Sequence, residues 1–216
     1  RFCKAENCGG VVIANPNAPT GRSVDLEDIR RVLEEHRDVV VLVDEAYVDF
    51  GGVSADTLLK EYDNLVVVRT LSKSRALAGL RVGYALGSPN LISGLCCVRD
   101  SINSYTVDRL AQAGAVAALE DGPYFEEMRE RVIRTRERTE ERLRAMGFAV
   151  LESKANFLFV SHPKRTGKAL LDGLREQGIL VRWFDRPRIG NYLRISVGTD
   201  DEMDALCAAL KALTEG

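Results

Sequence analysis

No apolar run in this sequence comes near the roughly 20 residues that a membrane-crossing helix needs, so no such span is expected. A charge of one sign is missing as well: 30 Lys and Arg against 32 Asp and Glu leave a formal charge of −2. Without clustered positive excess, a protein held to nucleic acid by phosphate contacts is not expected. The five cysteines are odd in number and lack zinc-ligand spacing. They read as reduced thiols of a cytoplasmic protein, with no metal centre. Cys96 and Cys97 fall in a mostly apolar segment and are expected to be buried. The first residues show neither a methionine nor a basic, apolar, small-residue leader. Because the first strand-like run, 11–13, is already followed by chemically loaded residues, a piece of a longer protein is expected. What remains, 216 residues with 45% hydrophobic and 29% charged content, suffices for one core plus a small second lobe.

The first half alternates short apolar runs with amphipathic stretches. Strands are expected over 9–14, 39–43, 65–68 and 82–86. Helices are expected over 25–35, where Leu26, Ile29, Val32 and Leu33 form an i, i+3, i+4 stripe, and over 58–62. The unbroken run 39–43 has the character of a strand covered on both faces. Strands alternating with helices give an α/β fold with a mostly parallel sheet. After Pro123 a long charged helix, 124–146, carries Phe125, Met128, Val132, Leu143 and Met146 on one side. Gly147 is expected to end it as a left-handed cap. A βαββα order then follows: strand 156–160, helix 167–177, strands 180–183 and 192–197, and helix 201–213. The organisation expected is a partial large domain over 1–135 and a small α+β domain over 136–216.

Several polar residues follow the carboxyl ends of predicted strands: Asn17, Asp44, Tyr47, Thr70, Ser72 and Lys73. In open α/β sheets that edge is where ligands bind. Arg81 instead precedes its strand, so it reaches the same edge only if the strand from Val82 runs antiparallel to the others. Lys73 offers a Schiff-base amine. Asp44, an acid ending an apolar run, needs a cationic partner, which a pyridinium N–H can be. Tyr47 can present a phenol to a ring oxygen. Thr70, Ser72 and Arg81 supply hydroxyls and a guanidinium for phosphate oxygens. Together these groups fit pyridoxal phosphate, an electron sink once a lysine holds it and an acid keeps its ring nitrogen protonated. Each group also has a plainer reading: a surface lysine, a capping aspartate, a core tyrosine, an arginine paired with an acid. In the small lobe, Arg182 and Arg194 lie on neighbouring predicted strands and suggest an anion clamp for a substrate carboxylate or phosphate. Asn156 either contacts substrate or shapes its loop. His36 and His162 lie away from this set and are given no chemistry.

At these residues the sequence resembles the fold-type I pyridoxal-phosphate-dependent aminotransferases, most closely the histidinol-phosphate aminotransferase branch. The resemblance rests on Asn-Pro-Asn-Ala-Pro-Thr-Gly at 15–21, Asp-Glu-Ala-Tyr-Val-Asp-Phe at 44–50 and Arg-Thr-Leu-Ser-Lys at 69–73 with Ala-Gly-Leu-Arg-Val-Gly-Tyr at 78–84. It continues through 105–112, Ala-Asn-Phe at 155–157 and Tyr-Leu-Arg-Ile-Ser-Val-Gly-Thr at 192–199. It implies Lys73 as the cofactor lysine, Asp44 on the ring nitrogen, Tyr47 on the ring oxygen, and Thr70, Ser72 and Arg81 on the phosphate. It further implies substrate-anion binding by Arg194 and Arg182, and a homodimer whose subunits share active-site residues. Many relatives place an asparagine immediately before Pro-Thr-Gly; here that position is Ala18, and Asn17 beside it is the substitute.

The reaction that the resemblance implies is transamination of histidinol phosphate with 2-oxoglutarate, giving imidazole-acetol phosphate and glutamate in histidine biosynthesis. Alternatives on the same scaffold are a threonine-phosphate decarboxylase or an aminotransferase for other amino acids. From a different class comes a non-catalytic pyridoxal-fold domain. The family's N-terminal part is not recognisable in this chain. The piece by itself is therefore expected to hold the cofactor weakly, to be inactive alone and to associate through uncovered apolar surface.

Overall fold

A computed structural model describes residues 8–215, and the chain divides into two compact units. The first comprises the described residues through Pro16 together with Ser23–Glu126. The second comprises Asn17–Arg22 and residues 127–215. That division and the boundary expected at 135/136 both fall within one long helix, Gly122–Ala145.

The first unit is built on β1 (Val11–Ala14), β2 (Val41–Asp44), β3 (Leu65–Thr70) and β4 (Gly83–Gly87), side by side in that order. β1, β2 and β3 are parallel, with Val11 opposite Val41 and Val41 opposite Leu65. β4 runs antiparallel to β3, with Thr70 opposite Gly83, as the placement of Arg81 required. Gly83 is needed there, because a Cβ would lie 2.8 Å from the Arg69 carbonyl oxygen. The helix α1 (Leu26–Glu35) covers one face of the sheet. Its stripe buries Ile29 and Leu33 completely, in one core with Val41, Val43, Leu65 and Val67.

Three expectations change in this unit. The helix placed at 58–62 is a 3-10 turn over Ala55–Leu58, started earlier by Ser54, whose hydroxyl accepts the Asp56 amide at 3.0 Å. Two further helices, α2 (Pro89–Ile102) and α3 (Arg109–Glu120), were not anticipated. Their start signals are local: proline in the first turn of α2, and Asp108 accepting the Ala111 amide at 2.8 Å at the head of α3. Third, Cys96 and Cys97 are not buried: Cys96 is half-buried and Cys97 exposed. The cause is α2 itself, which buries no residue. An apolar run guarantees burial only where a neighbouring element covers it.

The second unit opens with α4 (Gly122–Ala145), whose last part it contains, and continues with β5 (Ala149–Val150), β6 (Phe157–Ser161), α5 (Gly167–Glu176), β7 (Arg182–Trp183), β8 (Leu193–Ser196) and α6 (Asp200–Glu215). Its sheet, ordered β5-β6-β8-β7, is antiparallel throughout. Leu158, Leu170, Leu174, Leu193, Ile195, Leu206 and Leu210 seal the core beneath α5 and α6. Gly147 takes a φ of 84° and ends α4 in the left-handed region, as expected. Of the apolar stripe read in the sequence α4 fully buries only Leu143, and it buries Thr135, Arg136 and Thr139 with it. Arg136 is 3% exposed and donates to the Ala155 carbonyl at 2.9 Å; its burial pulls its pKa below the usual arginine value.

Candidate active site

The carboxyl edge of the first sheet gathers six of the anticipated residues. Asp44 closes β2, and its Oδ1 accepts the Ala46 amide at 3.0 Å. Its Oδ2 accepts no hydrogen bond among the described residues, so half of a half-buried carboxylate stays open for a donor. Thr70 closes β3 and donates through Oγ1 to Ser72 Oγ at 2.9 Å, while the Ser72 amide donates back to Thr70 Oγ1 at 3.1 Å. The two hydroxyls thus stand as one group, with buried Leu71 between them fixing the turn.

Lys73 follows in that turn, which closes through Ala76 N to the Lys73 carbonyl at 3.1 Å and Leu77 N to the Leu71 carbonyl at 3.0 Å. Its side chain is exposed, and Nζ stands 5.6 Å from the centre of the Tyr47 ring. Lys73 has no ion pair among the described residues. Nζ thus lies against an aromatic face and not on a carboxylate. Two contacts anchor the turn. Ser74 Oγ donates to Asp49 Oδ2 at 2.5 Å, tying the residue after Lys73 to the 3-10 turn after Tyr47. Arg75 lies over the Phe125 ring at 3.6 Å and donates to the Ala118 carbonyl, which latches the same turn to α3 and α4. Arg81 adopts a left-handed conformation, φ 56°, just before β4, and donates to the Ala78 carbonyl at 2.9 Å. It is exposed and has no ion pair among the described residues.

Behind this edge lies a network not singled out from the sequence. The Glu45 carboxylate is fully sealed from solvent. It accepts the Ala55 amide at 2.6 Å, Ser54 Oγ at 2.7 Å and Arg69 Nε at 3.0 Å. Arg69 also donates to Ser54 Oγ at 2.5 Å and Asp56 Oδ2 at 2.8 Å. Burial works against the Arg69 charge, but hydrogen bonds with Tyr84 and Glu45 outweigh it and raise the pKa above the usual arginine value. A signal existed: two consecutive acids at a strand end point to opposite faces, so the second must enter the core and needs a cation. Asn15 was also passed over. Buried at 1%, it accepts the Val24 amide at 2.8 Å and donates to the Val24 carbonyl at 3.3 Å, pinning the turn-rich loop after β1.

The second unit holds the other four. Asn17 bonds through its backbone, its amide to the Arg22 carbonyl at 2.8 Å and its carbonyl to the Gly21 amide at 2.7 Å. The Asn156 carbonyl accepts the Val197 amide at 2.9 Å. Arg182 and Arg194 lie directly opposite each other on β7 and β8. Like charges opposite one another on paired strands repel. Arg194 lies 5.2 Å from the Phe157 ring centre and 5.9 Å from that of Phe184, and Arg182 lies 5.5 Å from the Phe184 ring centre. Arg194 Nε is buried with no hydrogen-bond partner. Two arginines paired across the ladder, one with an unsatisfied buried donor, are chemically suited to an anion.

The chain is similar to known proteins over nearly its whole length. The family model for aminotransferase class I and II matches residues 3–210. The histidinol-phosphate aminotransferase of Clostridium acetobutylicum is 53% identical over 210 residues, covering 97% of this chain and 59% of that protein. The chain therefore spans about three-fifths of the length of the curated relatives it matches. Among solved structures, the histidinol-phosphate aminotransferase from Sinorhizobium meliloti in complex with pyridoxal-5'-phosphate has a TM-score of 0.87 at 30% identity, covering 97% of this chain and 58% of that one. The L-threonine-O-3-phosphate decarboxylase from Porphyromonas gingivalis has a TM-score of 0.79 at 25% identity, covering 99% of this chain and 67% of that one.

Proposed function

We propose that this chain, which belongs to the aminotransferase class I and II family, offers a pyridoxal-phosphate site at the edge of its first sheet and serves, within the whole protein, amino-group transfer from histidinol phosphate to 2-oxoglutarate. The observation that carries the reading is Lys73 Nζ, free of ion pairs among the described residues, 5.6 Å from the Tyr47 ring centre in the turn after Thr70 and Ser72. The residues fit the cofactor chemically: an amine, an acid with an open oxygen, a phenol, a hydroxyl pair and a guanidinium. When bound, pyridoxal phosphate supplies an aldehyde for the lysine and a protonated ring that accepts the electron pair released at the substrate α-carbon.

Lys73 binds the cofactor and, once displaced by substrate, moves a proton to and from the substrate α-carbon through Nζ. Asp44 Oδ2 keeps the ring nitrogen protonated. The Tyr47 hydroxyl takes the ring oxygen. Thr70, Ser72 and Arg81 take the phosphate. In the second unit, Arg194 and Arg182 bind the anionic groups of the substrate, with Asn156 beside Phe157 on the same strand. The substrate assignment follows the names of the relatives that are more than half identical to this chain. The likeness to the threonine-phosphate decarboxylase keeps decarboxylation as the second reading, since both chemistries start from the same lysine and acid.

The same reading makes the protein a cytoplasmic homodimer, and the apolar side chains exposed on α2 and α3 offer a face that a second subunit can cover. Two experiments test the proposal. Borohydride reduction of the chain in pyridoxal phosphate, followed by peptide mapping, should place the pyridoxyl label on Lys73; a label spread over other lysines with Lys73 unmodified overturns the cofactor assignment. An assay of glutamate formation from 2-oxoglutarate with histidinol phosphate then separates transamination from carbon dioxide release out of a phosphorylated amino acid.

A further inference from the structure

We infer that the buried Glu45–Arg69 pair is a positioning device for the cofactor groups Asp44 and Thr70, an inference that rests on the cofactor reading above. Strand alternation puts the pair there. Val41 and Val43 of β2 face the core under α1, so Asp44 faces away from it and Glu45 turns back into it. Leu65 and Val67 of β3 lie in the same core, so Arg69 shares that side and Thr70 takes the other. The residues that would hold the ring nitrogen and the phosphate are thus each followed or preceded by one member of a single ion pair.

The pair has little freedom. Both Glu45 oxygens are occupied, one by the Ala55 amide at 2.6 Å, the other by Ser54 Oγ at 2.7 Å and Arg69 Nε at 3.0 Å. Arg69 reaches on to Ser54 and Asp56, and lies opposite Tyr84 on β4. The Glu45 amide meanwhile donates to the Val68 carbonyl at 2.8 Å, prolonging the β2–β3 ladder past Asp44. The ends of β2 and β3 are therefore stitched together at one point on the side away from Asp44 and Thr70. A buried ion pair of this kind contributes more to a single geometry than to net stability, and loss of one partner strands the other charge. A reactive ring held by an acid on one strand and a hydroxyl on the next depends on the spacing of those two strand ends.

The test uses the 216-residue chain titrated with pyridoxal phosphate, with Lys73→Ala as the reference for signal that depends on the lysine. Three variants are compared below all their melting temperatures: Glu45→Gln, Arg69→Lys, and Leu33→Ala as a core control in the same unit. The readouts are the dissociation constant, the visible circular dichroism per bound cofactor, which reports how firmly the ring is oriented, and the melting temperature without cofactor. Glu45→Gln is expected to weaken binding about tenfold, the scale of one charge-assisted contact, and to diminish the visible band. Arg69→Lys, which keeps the charge but loses the fork to Ser54 and Asp56, falls between it and the wild type. Leu33→Ala lowers the melting temperature and leaves both cofactor readouts unchanged. Unchanged affinity and band in Glu45→Gln and Arg69→Lys overturn the positioning role, as does an equal loss in Leu33→Ala. If Glu45→Gln shows no cooperative melt, Arg69→Lys decides on the same criteria. A wild-type chain with no lysine-dependent signal overturns the cofactor reading itself, and the positioning role with it.

Discussion

The second unit buries its leucines against a complete antiparallel sheet, whereas the first leaves Leu95, Val98, Ile102, Leu110, Val116 and Leu119 of α2 and α3 in solvent. Among the described residues, the one large apolar side chain exposed in the second unit is Leu180. Polar groups divide the other way. In the second unit Thr135, Arg136 and Thr139 are buried and bonded within the fold. In the first, Asp44, Ser72, Lys73 and Arg81 stay open at a sheet edge. Buried Glu45, bonded to Arg69, and buried Asn15, bonded to Val24, are the exceptions there among the described residues. One region has spent its side chains on cohesion; the other keeps reactive groups accessible and apolar helices uncovered.

That contrast predicts which substitutions separate chemistry from stability. Lys73→Ala should abolish the pyridoxyl label entirely while leaving the melting curve unchanged, because the side chain is exposed and, among the described residues, is held only over the Tyr47 ring. A fall in melting temperature in that variant would show that the first unit also relies on this turn for cohesion. Leu206→Ala, in the sealed core of the second unit, should cost about 2–5 kcal/mol in urea unfolding through the cavity left behind, with Lys73 labelling retained. Equal loss of labelling would mean that the two regions are less independent than their cores.

Arg194→Ala should weaken the binding of anionic substrate by about 2 kcal/mol, the lower end for truncating a buried charge-assisted contact, without changing labelling at Lys73. Release of cofactor with unaltered substrate kinetics would reassign this arginine. The smallest effect belongs to Glu202, whose carboxylate accepts the Thr199 amide at 2.7 Å and hydroxyl at 3.1 Å at the head of α6. Those bonds, the backbone one foremost, hold its pKa below the ordinary glutamate value. A pKa lowered by folding gives stability that is present above the unfolded pKa and lost as pH falls through the folded one. Glu202→Gln should therefore melt slightly below the wild type at neutral pH and converge with it in acid. A gap that persists below that window would place the contribution in packing rather than charge.

Much of this was legible residue by residue. β-branched runs marked β2 and β3, the stripe of α1 marked its buried face, and Gly147 marked the end of α4. The position of Arg81 before its strand was enough to require an antiparallel β4. These signals survive because they are local: strand alternation, helical period and glycine's left-handed tolerance act within a few residues. α2 and α3 were missed for the converse reason. Most of their large apolar residues are exposed, α2 burying none and α3 only Ala111 and Ala115, and their start signals at Pro89 and Asp108 are weak alone.

The sequence by itself determined the succession β1, α1, β2, β3, β4 in the first unit and β6, α5, β7, β8, α6 in the second, the lysine turn after Thr70 and Ser72, and the acid at the end of β2. It could not determine that Arg69 would be the partner of Glu45, or that Arg182 and Arg194 would stand opposite each other across a strand pair. Those outcomes depend on register between segments far apart in the chain. The free energy of a charge is decided by what surrounds it, a guanidinium, a ring face or water, and only the packed tertiary structure supplies those surroundings.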